Sequence, residues 1–142
     1  MLKVSAEPSL LAPAVRDRVE KAIADSGLDL MIFEAWRSPE RQEDRFKQGR
    51  SVPGPRVTNA APFFSLHQYG LAVDVVYRVN GQPSWQGDFD IIVPFFTKYG
   101  FDHPPSFEKC HFQISNGMAP QMIYQMFQAS TTQGVWINMG LT

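Results

Sequence analysis

The stretch "SLHQYGLAVDVV", residues 65–76, decides how the rest of the chain reads. Its second half continues into "LAVDVVYRV" (71–79), an apolar run rich in valine that reads as a strand and stops at the turn pair "NG". Asp74 interrupts that run. An ionised carboxylate in a buried strand is costly unless it is paired or bound to a metal. His67 lies just upstream, before a short turn. Further on, "FEKCHFQIS" (107–115) embeds His111 at the head of a second short strand, 111–115. Histidine and aspartate are both metal-ligand types, and a catalytic zinc takes three protein ligands and leaves one position open. The metal reading therefore groups His67, Asp74 and His111. The residues alone leave plainer readings open: Asp74 in a buried salt bridge to Arg37 or Arg56, and each histidine hydrogen-bonded by itself.

Two further residues fit the same grouping. Glu108 stands three positions before His111, and a carboxylate just upstream of a ligand can reach a metal-bound water without binding the metal. Its alternative is an exposed glutamate in the polar turn "SFEK". Arg37 directly follows the strand "MIFEAW", where a guanidinium can reach into a site and stabilise an oxyanion. Its alternative is an ion pair with Glu40 or Asp44.

Outward from these residues the chain alternates helices and strands. "PAVRDRVEKAIADSG" (13–27) reads as a helix with Pro13 in its first turn, Val15, Val19, Ala22 and Ile23 on one stripe, and Gly27 at its stop. "LDLMIFEAW" (28–36) reads as one strand. "SPERQEDRFKQG" (38–49) reads as a helix capped by Ser38 and ended by Gly49. "RSVPGPRVTNAAPFF" (50–64) is a long Pro- and Gly-rich loop, the kind that forms a wall or lid. "DFDIIVPFFTKYG" (88–100) reads as a helix that Pro94 either starts or kinks. "APQMIYQMFQAS" (119–130) reads as a helix with Met122, Ile123, Met126 and Phe127 on one side. The tail "TTQGVWINMGLT" has no clear pattern. The order predicts an α+β fold: a small single domain with an antiparallel-rich central sheet flanked by helices.

Composition narrows the function classes. The 142 residues suit one domain with its own core. They are 44% hydrophobic and 19% charged, a globular balance. A net charge of −1 gives no footprint for nucleic acid, and no phosphate-cradling glycine motif is present. The single cysteine, Cys110, excludes an internal disulfide. The N-terminus does not read as a signal peptide, and no apolar run approaches the ~20 residues that span a bilayer. The expectation is a monomer without stable membrane insertion.

With these residues in place, "SLHQYGLAVD" resembles the SxHxxGxAxD motif of the zinc D,D-carboxypeptidase/L-alanyl-D-glutamate endopeptidase family, VanY-like peptidases that include phage endolysins. Ser65, His67, Gly70, Ala72 and Asp74 match it. "EKCHFQ" matches the family's second motif at Glu108 and His111. "EAWRSPERQEDRFKQGR" is similar to its RSxxxQ segment at Arg37, Ser38 and Gln42. The stretches "VTNAAPFFSLHQYGLAVDVV" and "KYGFD" are similar to the endolysin branch. The resemblance spans residues 30 to 115 and implies a Hedgehog/DD-peptidase-like fold. It implies Zn2+ held by His67, Asp74 and His111, with Glu108 as general base and Arg37 polarising the scissile carbonyl. Ser65 and Gln42 would line the substrate cleft.

The implied reaction is hydrolysis of the L-Ala–D-Glu bond in peptidoglycan stem peptides. The chain would act as an endolysin, made in a host cytoplasm and reaching periplasmic peptidoglycan after membrane permeabilisation, with no separate cell-wall-binding domain. Two rivals remain: a D-Ala–D-Ala carboxypeptidase or dipeptidase with the same site, and a non-catalytic peptidoglycan-binding module with structural zinc. A host-encoded wall-remodelling enzyme is a further variant. The sequence departs from the family in "GFDHPPSFEKCHF" (100–112). His103 and Pro104 replace a tryptophan–glycine segment and Cys110 replaces a proline, so one cleft wall is altered. His103 reads as a polar loop residue and Cys110 as a small buried hydrophobe.

Overall fold

A computed structural model describes residues 4–104 and 108–142. The centre is β4 (Ala72–Val79), whose first five residues are all buried. It pairs antiparallel with β2 (Leu30–Glu34) along one edge. Along its other edge it pairs with β6 (His111–Gln113) and then with β5 (Gln82–Ser84). Asn80 and Gly81 both take left-handed backbone angles (φ 53° and 75°), the turn that matches strand twist in a two-residue hairpin. The "NG" signal thus closes β4 onto β5.

Strand alternation assigns the two faces of this sheet. Phe112 is the cross-strand partner of Val73 and stacks on Phe96 at 4.3 Å, so that face carries α3 (Val93–Thr97). Helix α1 (Pro13–Ser26) packs beside α3 and buries Val15, Val19 and Ala22. Each of the two valines contributes roughly 1.5–3 kcal/mol by leaving water, and Ala22 less. Gly27 ends α1 in the left-handed conformation, as its position predicts. Asp74 and its partner His111 belong to the opposite face.

Three expectations need correction. The 28–36 strand is not continuous. Pairing shifts register between Ile32 and Glu34, β2 ends, and Trp36–Arg37 form β3 against β1 (Val4–Ser5) in a separate two-stranded sheet. The 88–100 helix is split into a single 3-10 turn, Phe89–Ile91, and the short α3. Pro94 sits in the first turn of α3, where its missing N–H costs nothing. Helix α2 (Pro39–Lys47) is capped by Ser38, whose Oγ accepts from the Arg41 N–H at 3.0 Å, but Gln48 rather than Gly49 ends it.

The C-terminal region forms α4 (Pro120–Ala129) and α5 (Thr132–Asn138). In α4 Ile123 is buried while Met122 is half exposed, so the apolar stripe is narrower than its spacing implies. Thr131 caps α5, and the Trp136 indole N–H donates to the Tyr69 carbonyl at 2.7 Å. No helix among the described residues is long and apolar enough to cross a membrane.

Candidate metal centre

His67 lies in a single 3-10 turn, Leu66–Tyr69, that delivers the chain into β4. Ser65 caps the turn through its Oγ. Gly70 ends it at φ 69°, and a Cβ there would lie 2.5 Å from the Leu10 carbonyl oxygen. The close approach is used: the Ala12 N–H donates to the Gly70 carbonyl. Only glycine satisfies both demands, which is the physical reason for it between the histidine and the strand.

Three ligand atoms meet at one point. His67 Nε2 lies 3.2 Å from Asp74 Oδ1 and 3.2 Å from His111 Nδ1, and His111 Nδ1 lies 3.2 Å from Asp74 Oδ1. A tetrahedral zinc with bonds of about 2.0–2.1 Å separates neighbouring ligand atoms by about 3.3 Å. The triangle is therefore one face of such a tetrahedron. The outer ring nitrogens are both engaged. His67 Nδ1–H donates to the Ala35 carbonyl at 2.9 Å, and His111 Nε2–H donates to Gln113 Oε1 at 2.9 Å. These acceptors assign the tautomers that leave the inner lone pairs for a cation. Charge agrees with geometry. Burial raises the Asp74 carboxyl, but the facing His67 and His111 outweigh it and hold the group well below the usual carboxylate range. Burial lowers His111, yet its bond to Asp74 leaves it raised. The donor set fits zinc.

Glu34, Asp74 and His111 form one rung across β2, β4 and β6. Arg37 crosses that rung. Its Nε and Nη2 donate to the two Glu34 carboxylate oxygens at 2.6 and 2.9 Å, and Nη2 lies 3.6 Å from Asp74 Oδ2. Burial works against the Arg37 charge, and Glu34 first, then Asp74 and Glu108, together more than offset it, so its affinity for the proton is raised. The alternative pairing of Arg37 with Glu40 or Asp44 is absent among the described contacts, and no contact between Arg56 and Asp74 is found among them. Glu34 is the partner that sequence reasoning missed.

The open side of the triangle faces a cleft lined by Arg37, Arg45, Ser65, Pro104 and Glu108, with loop residues 57–60 as one wall. Burial, then the charge of Asp74, pushes the Glu108 carboxyl up, with Arg45 and Arg37 acting against it. Glu108 Oε1 accepts a hydrogen bond from Arg45 Nη2 of α2, a second partner the sequence did not disclose. Ser65 lines the cleft as expected. Gln42 does not. It is fully buried, its Oε1 accepts from Arg37 Nη1 at 2.9 Å, and its Nε2 donates to the Ala60 carbonyl at 2.7 Å. It ties Arg37 to the loop wall instead of facing substrate.

His103 stacks on Phe112 at 4.9 Å and donates to the Lys109 carbonyl, away from the triangle. Cys110 is buried and can gather with Asp74 and Glu108 in a looser group. Burial, then those two carboxylates, pushes its thiol up, which keeps it neutral. Of the altered wall, Pro105, Ser106 and Phe107 lie outside the described residues.

An α+β domain with an open three-ligand site on one face of its sheet is thereby defined. Residues 11–102 match the model of the VanY D-alanyl-D-alanine carboxypeptidase family, and the chain belongs to that family. It is 38% identical over 87 residues to the peptidoglycan L-alanyl-D-glutamate endopeptidase CwlK of Bacillus subtilis (strain 168). That match covers 58% of this chain and 52% of CwlK, so the chain spans about half the length of this relative. The Serratia marcescens L-Ala D-Glu endopeptidase ChiX has the same fold, with a TM-score of 0.58 and 23% identity over 76% of this chain and 83% of ChiX. The vancomycin-resistance D,D-pentapeptidase VanY in complex with Zn(II) aligns with a TM-score of 0.52 and 18% identity, covering 95% of this chain and 89% of that one.

Proposed function

We propose that the chain is a zinc peptidase that hydrolyses the L-Ala–D-Glu bond of peptidoglycan stem peptides. The observation that carries this reading is the equilateral 3.2 Å triangle of His67, Asp74 and His111 with Glu108 beside its open side. A purely structural zinc is closed by four ligands and needs no adjacent base, which disfavours the binding-module rival. The similarity to CwlK supports the bond chosen.

Bound at the triangle, zinc would polarise the scissile carbonyl and bring the pKa of a water toward ~7. Glu108 takes the proton from the attacking water and passes it to the leaving nitrogen. Arg37, fixed by Glu34 and Gln42, donates to the carbonyl oxygen as negative charge develops there. His67, Asp74 and His111 hold the metal, and Ser65 borders the substrate.

Mass spectrometry of peptidoglycan digested by the zinc-loaded protein tests the reading. Stem peptides that begin at D-Glu, with L-Ala left on the glycan, are the expected product. The family's description favours one second reading, removal of terminal D-Ala, and loss of D-Ala alone would replace the first with it. An unchanged digest would sink both. The endolysin-like stretches support a role in host lysis from the cytoplasm. Expression in a Gram-negative bacterium, alone and with a membrane-permeabilising partner, tests that role: lysis only with the partner is expected, and no lysis with it removes the proposal.

A further inference from the structure

Two guanidinium groups line the cleft, and they are committed differently. All three nitrogens of Arg37 have protein partners. Among the described residues Arg45 has one, Glu108, which it meets through Nη2. Its Nε is buried and has no hydrogen-bond partner among the described residues, and the one bond its Nη groups make among them is that of Nη2 to Glu108. A guanidinium has five N–H donors in a planar fork, so Arg45 is under-used in the free cleft. A buried donor beside a cleft calls for a partner, and a substrate acceptor can supply one.

The substrate supplies a group of the matching kind, on the reading of the preceding subsection. The D-Glu amine is acylated by L-Ala, and the stem continues through one of its two carboxyls. The other is free, attached to the carbon that bears the scissile nitrogen. Glu108 must reach that nitrogen to protonate it, and Arg45 touches Glu108. The free carboxylate therefore arrives beside Arg45, while Arg37 lies on the side of the triangle held by Glu34 and Asp74. We propose that Arg45 is a specificity-determining residue that binds this free α-carboxylate. The planar fork accepts a second carboxylate without releasing the first, so Glu108 keeps its position as the substrate docks.

The test compares two synthetic N-acyl L-Ala–γ-D-Glu–L-Lys peptides, one with the free α-carboxylate and one with that group as the carboxamide. The zinc-loaded wild type should cleave the acid with a kcat/KM on the order of 10- to 100-fold above the amide, the worth of one charge-assisted hydrogen bond. Arg45→Gln should bring that ratio to near one. Arg45→Lys, which keeps the charge but not the fork and is the milder change should Arg45→Gln fail to fold, should retain part of it. Equal cleavage of both peptides by the wild type, or a preference unchanged in the variants, overturns the role of Arg45 and leaves the peptidase reading standing. Cleavage of neither peptide by the wild type overturns the L-Ala–D-Glu reading and this inference with it.

Discussion

The two sides of the cleft are built differently. On the metal side the ligands come from a strand, a strand head and a capped turn, and their side chains are almost wholly buried. Each histidine is held by an acceptor near the sheet, the Ala35 carbonyl or Gln113. On the opposite side Glu108 is one-third exposed and is held by the long side chain of Arg45, and the wall beside it is loop. Rigid elements fix the geometry that a metal demands within tenths of an ångström, while loops carry what must fit a substrate. Substitutions on the metal side should cost binding of the ion and fold stability together. Substitutions on the other side should cost turnover alone.

The largest effect expected is that of His67→Ala. It removes one corner of the triangle and strands the Ala35 carbonyl. Metal analysis of the purified variant should find well under one zinc per chain, and activity should fall to background. A full equivalent of tightly held zinc would mean that the triangle is not the binding face. Next is Glu108→Ala, which should lower kcat by about 10²–10⁴-fold, the usual worth of a general base, with zinc content unchanged. Loss of zinc in this variant would move Glu108 into the ligand set, beside Asp74 and Cys110, and the contrast between the two sides would collapse.

The same contrast explains what could be read from the sequence. His67, Asp74 and Gly70 lie within eight residues, and each carries a local signal: a charge inside an apolar strand, a glycine where the chain must turn. His111 and Glu108 share a second short segment. Glu34 was missed because regular alternation places residues 34 and 37 on opposite faces of one strand. The chain breaks at Ala35, changes sheet, and brings both to the same side. Arg45 was missed for a different reason: its partner is 63 residues away in sequence, and nothing local marks it. Gln42 was expected to line the cleft; its burial gives it a bracing contact to Arg37 instead.

Glu34→Ala tests the hidden brace. Arg37 would keep only Gln42 and the longer approach to Asp74, in a site where its side chain is 4% exposed. Removing one partner of a buried ion pair costs about 3–5 kcal/mol, and urea denaturation of the zinc-loaded protein should show that loss. A change within about 0.5 kcal/mol, the range of an ordinary surface substitution, would mean that Asp74 alone compensates Arg37.

The smallest effect should come from the tail that showed no pattern in the sequence. Trp136 donates its indole N–H to the carbonyl of Tyr69, the last residue of the turn that carries His67. Trp136→Phe keeps most of the ring packing and removes that single bond. The net loss should be about 1 kcal/mol, which lowers the melting temperature by about 3–4 °C in a domain of this size. Zinc content should stay at one per chain, because the Ala35 carbonyl still fixes the His67 ring. Faster release of zinc to a chelator, at unchanged content, would show that the turn depends on α5 for its rigidity as well as its stability. An unchanged melting temperature would show that the turn is held by Ser65, Gly70 and β4 alone, and that the indole bond only fastens α5 to a site already complete without it.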